Sequence, residues 1–204
     1  MLSDSYTVGH GLCESYTLAL RSLSNHMKPF RFNKDNSLYF CTDTVVGWQY
    51  VFTSPPFFDC IVESLKFCQE RKGLRVHAYV IMPNHLHTIL SAANQNLSDI
   101  VRDYKRFTSE KISALLQETH SRALSSYFAT AARIAKKRNQ SKIWQSGSHP
   151  ETIESGRFFD QKLNYIHENP VRKGFVRNPE DWLYSSARNY FLNDHSIIKI
   201  DMLD

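Results

Sequence analysis

Residues 74–90 read as strand, with Met82-Pro83-Asn84 falling in the middle. The proline marks a kink or an edge there, because it cannot donate to a ladder. A strand needs partners, and the flanking segments supply them. In residues 37–52, Leu38-Tyr39-Phe40-Cys41-Thr42, Val45-Val46 and the stretch from Trp48 to Phe52 suit a strand or hairpin that stops at Pro55-Pro56. Phe58, Ile61, Val62, Leu65 and Cys68 then recur at helical spacing until Lys72-Gly73 closes the helix. A second helix is predicted from an N-cap at Ser98, with the stripe Ile100, Val101, Tyr104, Phe107, Ile112 and Leu115. A third is predicted over residues 156–169, buried through Phe159, Leu163 and Ile166 and ended by Pro170. Strands alternating with helices in a small domain give an α+β class. The natural candidate is a ferredoxin-like antiparallel sheet with helices packed on it, plus a C-terminal helix.

The length, 204 residues, suits one compact domain with extensions. Residues 1–28 show no periodicity and read as a poorly ordered N-terminal extension, with Met27 a candidate start. The domain is expected over residues 29–192, with a basic insertion near 117–142, where a helix runs into a mobile loop. Residues 193–204 form a tail. Trp182, Tyr184 and Tyr190 are expected to pack back onto the domain, and no internal repeat is visible. Cys13, Cys41, Cys60 and Cys68 form no CxxC pair, which argues against a zinc ribbon or disulfide framework. With no signal peptide or membrane-length apolar run, the expectation is a cytoplasmic protein. A net charge of +5 favours a polyanionic partner. The basic residues grouped for phosphate contact are Arg102, Lys105 and Arg106, then Lys136, Lys137 and Arg138, then Arg172 and Lys173.

Two segments could carry chemistry. In Pro83-Asn84-His85-Leu86-His87 the imidazoles are two residues apart, so on a strand they share one face while Leu86 takes the other. Two nitrogens presented in this way can serve one divalent cation. In Lys162-Leu163-Asn164-Tyr165-Ile166-His167-Glu168-Asn169-Pro170, Tyr165 and Asn169 lie one turn apart, offset from the apolar stripe. An amide oxygen from Asn169 would add a hard ligand of the kind Mg²⁺ or Mn²⁺ takes. Taken singly, the histidines also fit an ordinary strand surface, Tyr165 a boundary aromatic, and Asn169 a helix-ending residue.

Together with Ala78-Tyr79-Val80-Ile81-Met82, Val171-Arg172-Lys173-Gly174 and Asp181-Trp182-Leu183-Tyr184-Ser185-Ser186, these segments resemble the single-tyrosine HUH transposases of the branch associated with bacterial REP elements and insertion sequences. The resemblance covers residues 38–190. The stretch between Phe107 and Trp144 is longer than that family leads one to expect. It implies that His85 and His87 bind a divalent metal, Mg²⁺ or Mn²⁺, with Asn169 as a further ligand. Tyr165 would be the nucleophile on a C-terminal catalytic helix. The implied activity is cleavage and rejoining of single-stranded or hairpin DNA through a 5′-phosphotyrosine, by a monomer or homodimer. A phenol is mostly protonated at neutral pH and must lose its proton on attack. His167, two residues along the helix, faces away from Tyr165 and is not favoured as the base. The alternative is a non-catalytic regulator on the same scaffold that binds structured DNA or RNA. A metal-dependent phosphoesterase or cyclic-nucleotide enzyme ranks last, since it leaves the Tyr165 segment without a role.

Overall fold

The structure, a computed structural model, describes residues 37–93, 97–135, 141–146 and 150–203. The extension expected at residues 1–28, with Met27, lies outside the described residues, as do Lys136, Lys137 and Arg138. In chain order the elements are β1 (Leu38–Thr44), α1 (Pro55–Lys72), β2 (Leu74–Met82), β3 (His85–Ala92), α2 (Leu97–Glu118), α3 (Arg122–Ile134), β4 (Glu151–Ile153), α4 (Gly156–Arg172) and α5 (Ala187–Leu192). The sheet order is β2-β3-β1-β4, and every neighbouring pair is antiparallel. The β1-α1-β2-β3-α2 path, returning to β4 beside β1, is the ferredoxin-like arrangement.

The run of residues 74–90 is a hairpin rather than one kinked strand. Pro83 and Asn84 form its two-residue turn, and the turn carbonyls are taken up by the chain that follows β1. Val51 N and Phe52 N donate to Pro83 O at 2.9 Å each, and Val45 N donates to Asn84 O at 2.9 Å. Those donors are therefore not free for a hairpin within residues 37–52, and of the strand or hairpin expected there the strand, β1, forms. After β1 the chain turns through Val46–Trp48 instead.

Both faces of the sheet are covered, which is why β3 is buried at every position and β2 at every position but Arg75. On β3, Leu86, Leu90 and Ala92 face a core shared with Ile61 and Leu65 of α1 and Ile100, Tyr104, Ile112 and Leu116 of α2. His85, His87 and Ile89 face the other way, under α4. There Phe159, Leu163 and Ile166 are buried, as their spacing predicts. Truncating Leu163 to Ala would remove about 3 kcal/mol of stability. The stripe on α2 runs every fourth residue through Ile100, Tyr104, Thr108, Ile112 and Leu116. Phe107 is 46% exposed. Thr108 takes the buried place, because its hydroxyl is satisfied by Tyr104 O at 2.8 Å and by Trp144 Nε1 at 3.0 Å. Ser98 lies inside the first turn of α2, not at its cap.

Helix α4 starts at Ser155, whose Oγ accepts from Phe158 N at 3.2 Å, a cap worth about 1 kcal/mol. It runs through Pro170 to Arg172 instead of ending at Asn169. A proline this close to the end removes one rung only, and Lys173 N–Asn169 O (3.1 Å) and Phe175 N–Pro170 O (2.9 Å) close the turn. The chain then seals the open edge of β2, through Ile81 N–Tyr184 O and Ser186 N–Tyr79 O, both 2.9 Å, and Asp201 N–Val76 O at 2.8 Å. Tyr184 stacks on Phe58 with ring centroids 4.0 Å apart. Ile198 and Ile200 are core residues, so residues 193–202 are part of the packed unit rather than a tail. Among the described residues no helix is long and apolar enough to cross a membrane.

Candidate active site

Strand alternation sets the histidines side by side. In the register, His85 stands opposite Thr44 and Met82, and His87 opposite Thr42 and Val80, so both lie mid-sheet. Their ring centroids are 4.7 Å apart, and both side chains are buried. Asn84 Nδ2 donates to Trp48 O at 3.3 Å, which turns Asn84 Oδ1 towards His85 Nδ1 at 2.7 Å. That oxygen can only accept, so Nδ1 carries the proton and Nε2 keeps its lone pair. His87 Nδ1 is 2.9 Å from the Thr42 hydroxyl, which can serve either tautomer.

Burial pushes the His85 imidazole down to about 4, helped by Lys173 and opposed by the Asn169 side chain, which would accept a hydrogen bond from the protonated ring. His87 is pushed down to about 3 by burial first, then by His85, Arg172 and Lys162. At neutral pH both rings are therefore uncharged, which is the form that ligates a metal.

Helix α4 lays Tyr165 over this pair. Its ring centroid is 5.1 Å from that of His87 and 6.0 Å from that of Phe40, and the residue is 38% exposed. The Arg172 guanidinium lies 4.4 Å from the Tyr165 ring centroid, and its Nη2 donates to Tyr165 O at 3.0 Å. One turn after Tyr165, Asn169 is buried beside His85, and its Oδ1 has no donor while that ring is neutral with its proton on Nδ1. Among the described residues, no group of three or more His, Cys, Asp or Glu is placed to share a metal. The available set is thus two neutral imidazoles and an orphaned amide oxygen. An oxygen buried without a donor is costly, and a hard divalent cation beside two nitrogens would satisfy it. The residues present fit such an ion.

All four groups line one cavity of about 470 Å³. His167 points to the opposite side of α4, fully buried, with Nε2 2.9 Å from Ser186 Oγ; it has no access to the phenol. Lys173 lines the cavity, and Arg172 reaches it through the Tyr165 ring.

The charges grouped on α2 do not reach it. Lys105 pairs with the buried Asp43 at 2.8 Å, and Asp43 lies opposite Leu86, on the sheet face away from the histidines. Arg102 pairs with Asp99 at 2.7 Å, and Arg106 lies 3.7 Å from Asp103. All three residues belong to the layer on the other face of the sheet, so the phosphate contacts expected of them would be made outside this cavity.

Several lining residues were not singled out from the sequence: Phe40, Thr42, Trp48, Lys162 and Glu151. Phe40 and Thr42 share the histidine face of β1 by simple alternation, a signal already present in the strand pattern. Phe40 stacks on His87 at 5.4 Å. Lys162, three residues before Tyr165, sits 4.2 Å from the Phe40 centroid and pairs with Glu151 at 2.9 Å. Nothing in the local sequence announces that partner on β4.

Comparison with known proteins places these residues in a wider setting. The pattern of the IS200-like transposases matches residues 50–169, a span that includes His85, His87, Tyr165 and Asn169. The REP-associated tyrosine transposase of Escherichia coli K12 is 24% identical over 117 residues, covering 56% of this chain and 55% of the relative. A Haemophilus influenzae protein given the same name provisionally is 27% identical over 109 residues, covering 53% of this chain and 56% of its own. The chain thus spans about half the length of the curated relatives it matches. Among solved structures, a REP-associated tyrosine transposase bound to a REP hairpin superposes with a TM-score of 0.52 at 18% identity. That match covers 86% of this chain and 98% of the other, a likeness of fold.

Proposed function

The chain belongs to the IS200-like transposase family, and from that premise we propose that it cleaves and rejoins single-stranded DNA through a 5′-phosphotyrosine link on Tyr165. The reading rests chiefly on one observation: the half-exposed Tyr165 ring lies 5.1 Å from His87, in the cavity that also holds the orphaned Asn169 Oδ1. His85, His87 and Asn169 would hold the divalent cation, Mg²⁺ or Mn²⁺. When bound, that ion would neutralise charge on the scissile phosphate and on the oxygens around the attacked phosphorus.

The chain's own groups do the rest. Arg172 holds the Tyr165 ring by stacking and by its bond to the Tyr165 carbonyl, which limits the directions in which the hydroxyl can point. Lys173 adds positive charge to the cavity wall, where the DNA backbone would pass, while the charge of Lys162 is met by Glu151. Tyr165 Oη attacks phosphorus and gives up its proton to solvent, which reaches the half-exposed ring. The 3′-oxygen leaves and takes up a proton. The link retains the phosphodiester's energy, so an incoming 3′-OH reverses the step and joins strands. All four groups come from one chain, which supports a site complete in a monomer.

The test is incubation of the protein with DNA hairpins carrying single-stranded arms, in Mn²⁺ or EDTA, followed by denaturing electrophoresis. Metal-dependent cleavage with a protein-linked product is expected. Tight binding without cleavage in any metal would make this chain the non-catalytic nucleic-acid regulator instead.

A further inference from the structure

The cavity is also lined by Trp48, a residue whose conformation asks for a reason. Trp48 has φ of 56°, in the left-handed region that bulky residues avoid. It is also 57% exposed, so core packing does not demand an indole there. Strain of this kind persists only where the surroundings impose it, and it gathers at sites that use the side chain.

The surroundings here are explicit. Gly47 takes φ of 64° in the turn, and a Cβ on it would run into the Tyr127 hydroxyl. Trp48 N donates to Val45 O at 3.0 Å, and Trp48 O accepts from Asn84 Nδ2 at 3.3 Å. Asn84 in turn is the residue that orients His85. The indole leans edge-on against the His85 ring, with centroids 5.8 Å apart and an interplanar angle of 70°. Trp48, His85, His87 and Tyr165 thus form a row of rings, with the nucleophile at one end and an exposed aromatic face at the other.

We propose that Trp48 is a stacking shelf for an unpaired nucleobase next to the scissile phosphate. The inference rests on the reading of this cavity as a single-stranded DNA site. Its occupant follows from the chemistry around it. Lys173 supplies charge for phosphates, Lys162 is paired with Glu151, and the Arg172 guanidinium already stacks on Tyr165, so none of them offers a free flat face to a base. Trp48 supplies that face, and every base has one, so the contact tolerates sequence. The same turn fixes His85 and the shelf together, so a stacked base would set the register of the strand relative to Tyr165. Trp48 is thus a substrate-binding residue.

The test uses the full chain carrying Tyr165→Phe, so that no chemistry intervenes. Two probes are compared by fluorescence anisotropy: a thymidine 20-mer and a 20-unit abasic strand of equal charge. The parent should prefer the thymidine strand by about tenfold or more, the range that stacking of one base supplies. Trp48→Ala should remove most of that preference while keeping the salt dependence of binding, and Trp48→Phe should retain most of it. Trp48→Asn guards against misfolding, since asparagine tolerates the left-handed backbone; it should melt no lower than the parent yet lose the preference. A preference unchanged in Trp48→Ala and Trp48→Asn overturns the shelf while leaving the DNA site standing. Failure of the parent to bind either strand overturns both.

Discussion

Acid should loosen the helix that carries the nucleophile, and His167 sets the scale. This imidazole is fully buried, and burial holds it down at about 3. Its Nε2 is 2.9 Å from Ser186 Oγ, which is 3.2 Å from Tyr79 O and 3.0 Å from Tyr79 N. Nδ1 has no partner. A buried N–H without an acceptor is rarer than an unused lone pair, so the proton belongs on Nε2, and the chain runs His167 to Ser186 to Tyr79. In the unfolded chain the same ring titrates near 6.5. Below that pH the unfolded state binds a proton that the folded state refuses. The contribution is therefore fully present above pH 6.5 and is lost as pH falls towards 3. Each pH unit in that window costs about 1.4 kcal/mol, so moving from pH 7 to pH 5 removes about 2 kcal/mol through His167 alone. The assay is urea unfolding of metal-free protein, followed by circular dichroism at both pH values. Wild type carries the buried His77, His85 and His87 as well, and these titrate in the variant too. The difference between pH 7 and pH 5 should therefore shrink by about 2 kcal/mol in His167→Gln. An equal loss in both proteins would refute the assigned protonation state.

Asn169→Leu should weaken Mn²⁺ binding by about tenfold or more in calorimetry. It should leave the metal-free melting temperature unchanged or higher, because an oxygen without a partner has been removed; unchanged Mn²⁺ affinity would count against the ligand role. Lys105→Met should cost about 3 kcal/mol in denaturant unfolding, since Asp43 is 2% exposed and loses an ion pair. The slope of DNA affinity against salt should stay as in wild type, and a shallower slope would return Lys105 to the DNA surface.

How far the sequence carries this account depends on the kind of interaction. Alternation along β3 and the offset of Tyr165 from Phe159, Leu163 and Ile166 are local periodicities, so the facing of His85, His87 and Tyr165 was readable from spacing. Pairing between distant segments was not. Residues 74–90 fold back on themselves as β2 and β3, and the donors of Val45, Val51 and Phe52 go to the turn between them, a contact no local spacing announces. The partner of Lys105 lies on β1, so three basic residues at helical spacing looked alike although one is held by a buried carboxylate. Thr108 hides in an apolar stripe because Trp144, far along the chain, receives it. Trp48 is the plainest case, since a left-handed backbone leaves no mark in residue type.

The central claim is that Tyr165 takes the phosphoryl group. Trypsin cuts after Lys162 and Arg172, and residues 163–172 contain Tyr165 as their only tyrosine. After reaction with a hairpin oligonucleotide in Mn²⁺ and digestion of protein and DNA, mass spectrometry should find that peptide carrying a 5′-linked nucleotide, and Tyr165→Phe should yield none. A nucleotide recovered on any other peptide, or cleavage that persists undiminished in Tyr165→Phe, would contradict the account.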